Sequence, residues 1–162
     1  MMKLDRKRAE LELERAGKLN PGKWTDYSRY TAQACENIAA RCDGMSPDTA
    51  YCYGLLHDIG RYAGVTSEKH LIDGYRFCLE HFVKNAVYDD YDRLVQLCDS
   101  LALPSGFCLL EKRFVDVALR YGTPPVMAER WRRILEIRDM FEKKINGSIY
   151  DLLPGVEENT FR

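Results

Sequence analysis

Apolar residues recur along this chain with the period of buried helix faces. Between Lys23 and Cys42, the residues Tyr27, Tyr30, Thr31, Ala34, Cys35, Ile38 and Cys42 return at spacings of three, four and seven, the period of a helix with one buried face. Asp43-Gly44 ends that helix. Ser46-Pro47 then starts the next, since serine caps free amides and proline suits the first helical position. This third helix carries Ala50, Tyr53, Gly54, Leu55 and Leu56 and ends around His57-Asp58-Ile59-Gly60. Before these two, a charged helix from about Lys3 to Ala16 shows Leu4, Leu11 and Leu13 on its apolar side. It stops at the turn from Gly17 to Gly22 and is expected to be a docked or flanking arm.

After the third helix, Thr66 or Ser67 can cap a fourth that is largely buried through Leu71, Ile72, Tyr75, Phe77, Cys78, Leu79 and Phe82. A fifth spans about Asp89 to Leu103, before Pro104-Ser105-Gly106. Phe107 to Tyr121 forms a sixth, closed by Gly122, and Pro124-Pro125 precede a last helix from about Val126 to Ile145. No stretch alternates with period two for long enough to make a strand. The tail from Ser148 to Arg162 reads as an irregular wrap or a partly disordered end. The expectation is a compact all-α bundle forming one domain over residues 1–162.

Composition narrows the chemistry. Lys plus Arg number 24 against 25 Asp plus Glu, so no large basic field exists to hold nucleic acid through its phosphates. Arg130, Arg132, Arg133 and Arg138 are interleaved with Glu129, Glu136 and Asp139, which gives no case for DNA or RNA. The charged amino end offers neither a signal peptide nor a membrane span, so a cytoplasmic protein with no membrane partner is expected. Cys35, Cys42, Cys52, Cys78, Cys98 and Cys108 lie in apolar helical segments without any C-x-x-C pair, and they read as buried thiols rather than a disulfide or zinc framework.

His57, His70 and His81 are the only histidines. His57 and Asp58 are adjacent at a helix end, where both side chains can reach one ion. Imidazole nitrogen with carboxylate oxygen suits a divalent transition ion better than calcium. A His-Asp pair alone is weak evidence. Its setting is a buried helix, Ala50 to Leu56, that breaks at Gly60 and is followed by the cation Arg61.

The run Leu55-Leu56-His57-Asp58-Ile59-Gly60 closely resembles the signature of the HD superfamily of metal-dependent phosphohydrolases. The resemblance covers about residues 24–122, with a helix before it at about 3–17 and one after it at 126–145. It implies hydrolysis of a phosphoester, such as a nucleotide or another small phosphorylated molecule, by a water activated on a divalent ion (Mn, Fe, Co, Ni, Mg or Zn). Within it, His57, Asp58 and Asp99 correspond to metal ligands, and Asp58 is also the candidate to orient or deprotonate the nucleophile. Asp99 sits among Leu94, Val95, Leu97, Cys98 and Leu101, where an unpartnered carboxylate is costly and an ion would compensate it. The alternative is an aspartate that faces water or caps a neighbouring helix.

His70 falls where some HD proteins use a histidine for a second metal or for substrate phosphate, and a core or capping role is the competing reading. Arg61 could bind substrate phosphate through its planar fork, or simply pair with a surface acid. Lys112 or Arg113 are weaker candidates for the same pocket. His81, between Glu80 and Phe82, reads as structural.

The sequence departs from the family at one position: Tyr27 stands where the first ligand histidine is expected. A neutral phenol is a poor ligand. Three arrangements remain open: an ion held by His57, Asp58, Asp99 and water; Tyr27 or Asp26 as a replacement ligand; or a catalytically degenerate HD-fold module for nucleotide binding or signalling.

Overall fold

The computed structural model describes residues 4–64, 69–81 and 87–162. It is 71% helical, an all-α architecture. Among the described residues the order is α1 (Arg6–Leu19), α2 (Trp24–Ala39), α3 (Pro47–Leu56), a 3-10 helix (Ile59–Ala63), α4 (Lys69–His81), α5 (Asp90–Asp99), β1 (Ala102–Leu103), β2 (Gly106–Phe107), α6 (Leu110–Tyr121), α7 (Met127–Ile145), a second 3-10 helix (Ile149–Leu152) and α8 (Val156–Thr160). None of these helices is long and apolar enough to cross a membrane.

The centre of the fold is the α2–α3 pair. Ser46 caps α3 by accepting from the Thr49 amide, with Pro47 at the first helical position, as the sequence predicts. A β-carbon on Gly54 would lie 2.9 Å from both Ala32 Cα and Cys35 Sγ, so glycine is what lets the two helices approach this closely. Gly74 plays a similar part on α4, where a β-carbon would sit 3.2 Å from the Gly60 backbone nitrogen. α1 docks through Ala9, Leu13 and Ala16 onto a cluster with Tyr51, Leu55 and Ile59. A second cluster joins Ile38, Leu94, Leu97, Leu101, Phe107 and Phe141. All six cysteines are free thiols; five are buried and Cys78 is partly so.

Several sequence expectations are corrected. α1 begins at Arg6 and continues through Gly17 to Leu19, and Leu11 points outward while Leu13 is fully buried. α5 ends at Asp99; the residues expected to extend it form an antiparallel hairpin pairing Ala102 with Phe107 and Leu103 with Gly106. Two-residue strands are too short to carry a period. The fourth helix is not largely buried, since Leu71, Ile72 and Tyr75 are all more than half exposed. The expected caps Thr66 and Ser67, and Phe82, lie outside the described residues. The tail is ordered: Ile149, Leu153 and Val156 complete the second cluster, and Asn159 donates to the Phe107 carbonyl at 2.9 Å.

Candidate functional site

The candidate site forms where α3 gives way to the 3-10 helix. His57 keeps helical torsions, φ −57° and ψ −35°. Asp58 swings to φ −106°, ψ 16°, the bridge region that turns a chain sharply. The first 3-10 helix is tied back to α1 by the Asn20 side-chain amide, which donates to the Arg61 carbonyl at 2.7 Å.

One contact orients the His57 ring. Nδ1 lies 2.7 Å from the Gly54 carbonyl oxygen, and a carbonyl can only accept, so Nδ1 carries a proton. Nε2 is buried and makes no well-aligned hydrogen bond. It faces two carboxylates, 3.3 Å from Asp99 Oδ1 and 3.9 Å from Asp58 Oδ2. Burial pushes the imidazole pKa down, but contact with Asp99, the charge of Asp58 and the Gly54 carbonyl together carry it above its ordinary value.

Asp99 reaches this point from the last residue of α5, whose start is fixed by an Asp89–Asp92 capping box. A carboxylate at a helix carboxy terminus opposes the helix dipole, so it needs compensation from elsewhere. That comes from His57, from Tyr27 and from Arg113. Burial raises the Asp99 pKa, and these three neighbours outweigh it to leave the group below the usual carboxylate value. Asp99 is half-buried, with 46% of its side-chain surface accessible, and it also lines a cavity.

Tyr27, in the first turn of α2, shares its hydroxyl proton between the carboxylate and main-chain oxygens of Asp99. The phenol oxygen accepts from Arg113 Nη2 at 3.0 Å. Burial first, then the charge of Asp99, drive the phenol pKa far up against the opposing pull of Arg113. Tyr27 is therefore a neutral donor to Asp99. On the other flank, Arg61 Nε donates to Asp58 Oδ2 at 2.6 Å, an i,i+3 pair across the turn.

The fold thus brings together Tyr27, His57, Asp58, Asp99 and, through Asp58, Arg61. Asp26 is solvent-exposed at the start of α2. The side chains of His70 and His81 lie outside the described residues. Of the two weaker cations, Arg113 enters the site. Its place depends on a contact 86 residues distant in sequence, which no local pattern announces. The Gly54 carbonyl was not legible as a participant either.

Donors bound about 2.1 Å from one ion stand roughly 3.0–3.4 Å apart at octahedral or tetrahedral angles. The His57–Asp99 separation falls in that range and the His57–Asp58 separation slightly beyond it. Among the described residues no group of three or more His, Cys, Asp or Glu side chains forms a ready metal cage. With Arg61 on Asp58 and Tyr27 on Asp99, an ion would share both carboxylates with protein donors.

Residues 10–74, about two fifths of the chain, match the model of the HDOD domain, an HD-like domain consistent with the resemblance read from the sequence. The matched segment includes Tyr27, His57, Asp58 and Arg61 and stops before Asp99 and Arg113. No curated protein and no solved structure matches the chain.

Proposed function

We propose that this HD-like chain hydrolyses a phosphoester of a small molecule, such as a nucleotide, with a divalent metal ion held by His57, Asp58 and Asp99. One observation carries the reading: His57 has Nδ1 committed to the Gly54 carbonyl, while its buried Nε2 lacks a hydrogen-bond partner and faces two carboxylates from separate segments. A histidine fixed by a backbone carbonyl on one nitrogen, with the other left for a ligand, is the arrangement of metal-binding imidazoles. When bound, the ion supplies Lewis-acid polarisation of the phosphoryl group and a lowered pKa for water.

The chain's own groups do the rest. Asp58 accepts a proton from the attacking water and orients it. Arg113 and Arg61 offset negative charge at phosphorus, with His70 as a further candidate. Tyr27 holds Asp99 in place by donating its hydroxyl proton. In the reaction, the water oxygen bonds to phosphorus and the ester P–O bond breaks with its electron pair going to the leaving oxygen. A water proton ends on that oxygen, so the products are phosphate and an alcohol.

A second reading, a metal-free binding or signalling module on the same scaffold, is favoured by Tyr27 in place of the expected histidine and by the Arg61–Asp58 pair. Turnover separates the two. Protein loaded with Mn2+ should release phosphate from a generic aryl phosphate, and Asp58→Ala should lose at least about a hundredfold in rate. Equal background rates in both proteins would overturn the hydrolase reading. If a nucleotide nevertheless raises the melting temperature in EDTA, the module reading stands.

A further inference from the structure

A cavity of about 360 Å³ opens between α5, α6 and α7, within the size of small-molecule sites, about 300–1,000 Å³. Asp99 and Arg113 belong to its wall as well as to the His57 centre, so the cavity begins where that centre ends. Every residue lining it lies between Gln96 and Ile134. None therefore comes from the HD-like segment 10–74.

Two chemistries meet on these walls. Phe114, Val117, Met127, Trp131 and Ile134 give the cavity its apolar surface. Phe114 and Trp131 stack face to face, with centroids 5.2 Å apart and planes 7° from parallel. The stack holds the partly exposed indole rigid, as a platform for another flat ring. The charged members are Arg113, Arg130 and Arg133 against the single acid Asp99, so the cavity is cationic although the chain as a whole is nearly neutral. Arg133 is steadied by the Tyr88 hydroxyl at 3.4 Å.

We propose that this cavity recognises a planar aromatic group carrying a phosphate, the ring lying against Trp131 and the phosphate directed toward Arg113 and the His57 centre. As a substrate pocket this rests on the hydrolase reading; as a binding site it does not. The shared chemistry, a flat ring joined to a phosphate, is found in both nucleoside monophosphates and simple aryl phosphates.

The test uses the chain of residues 1–162 in EDTA with Trp24→Phe, which leaves Trp131 as its one tryptophan. Its fluorescence is titrated with adenosine monophosphate, 1-naphthyl phosphate, inorganic phosphate and adenosine. We expect saturable change with both phosphorylated rings and mutual competition. Each should bind at least about tenfold more tightly than inorganic phosphate or adenosine, a difference of about 1.4 kcal/mol. The tighter of the two identifies the nucleoside or the aryl source. Arg130→Glu with Arg133→Glu, both at exposed positions, should weaken binding at least about tenfold while leaving the circular dichroism spectrum unchanged. Absence of a saturable change, equal binding of inorganic phosphate alone, or indifference to the double variant would overturn the proposal. Because the measurement needs neither metal nor turnover, its failure is separate from failure of the hydrolase reading.

Discussion

The two halves of the proposed site are built to different standards of packing. α2 buries eight of its 16 residues and meets α3 at a glycine with no room for a methyl group. By contrast, α6 buries Leu110 alone, and α7 buries three of 19 residues, Met127, Ile137 and Phe141. Val115 and Leu119 on α6 are 54% and 81% exposed. The dense half holds Tyr27 and His57 against Asp99, with Asp58 Oδ2 3.9 Å from the imidazole. The open half supplies cavity walls, where a shift of a few tenths of an ångström costs little. Precision at the centre and latitude at the pocket are thus separate properties of separate helices.

The sharpest way to break this contrast is at Gly54. Gly54→Val should destabilise the fold by about 3 kcal/mol, read as a lower urea midpoint with unchanged slope. A neutral result would mean that α2 and α3 can part without loss. Next in size is Tyr27→Phe, which takes the donor from Asp99 and the acceptor from Arg113. A loss of about 1–3 kcal/mol is expected from groups left unpartnered in an enclosed site. Tyr27→His, on the same backbone, should instead tighten metal retention, since it restores the ligand the HD resemblance expects.

A pH series tests the charge pattern at the centre. The pKa of His57 is raised in the folded state, so its stabilising contribution is complete below the unfolded value of about 6.5. That contribution is lost as pH rises through the raised folded value. The metal-free protein should therefore weaken as pH climbs above neutrality, and His57→Gln should flatten that slope. Metal binding needs the neutral ring, so affinity for Mn2+ should rise over the same interval. The smallest effect is expected in the open half, where Leu119→Ser should change stability by less than about 0.5 kcal/mol. A large loss there would show that α6 is packed against something the isolated chain does not reveal.

How far the sequence disclosed all this depended on the range of the interaction. Ser46-Pro47 and the face from Tyr27 to Ile38 were legible because caps and periodicity are local. His57, Asp58 and Asp99 were singled out by a motif and a resemblance, and the fold places both carboxylates within 3.9 Å of the imidazole. Gly17 read as a stop, yet α1 runs through it: the Thr25 methyl sits 3.0 Å from where its β-carbon would be, so packing against α2 selects glycine inside the helix. Leu71, Ile72 and Tyr75 read as core because apolarity alone does not say which face is covered. Arg113 and the cavity beside Trp131 arise from contacts between α2, α5, α6 and α7, and no single segment carries their signal.

The most direct test of the central claim is the metal itself. After reconstitution with Mn2+ or Fe2+ and desalting, elemental analysis should find about one ion per chain in the native protein and none in Asp58→Ala or Asp99→Ala. If native and variant proteins emerge equally empty, His57, Asp58 and Asp99 do not form a metal centre, and the hydrolase reading falls with it.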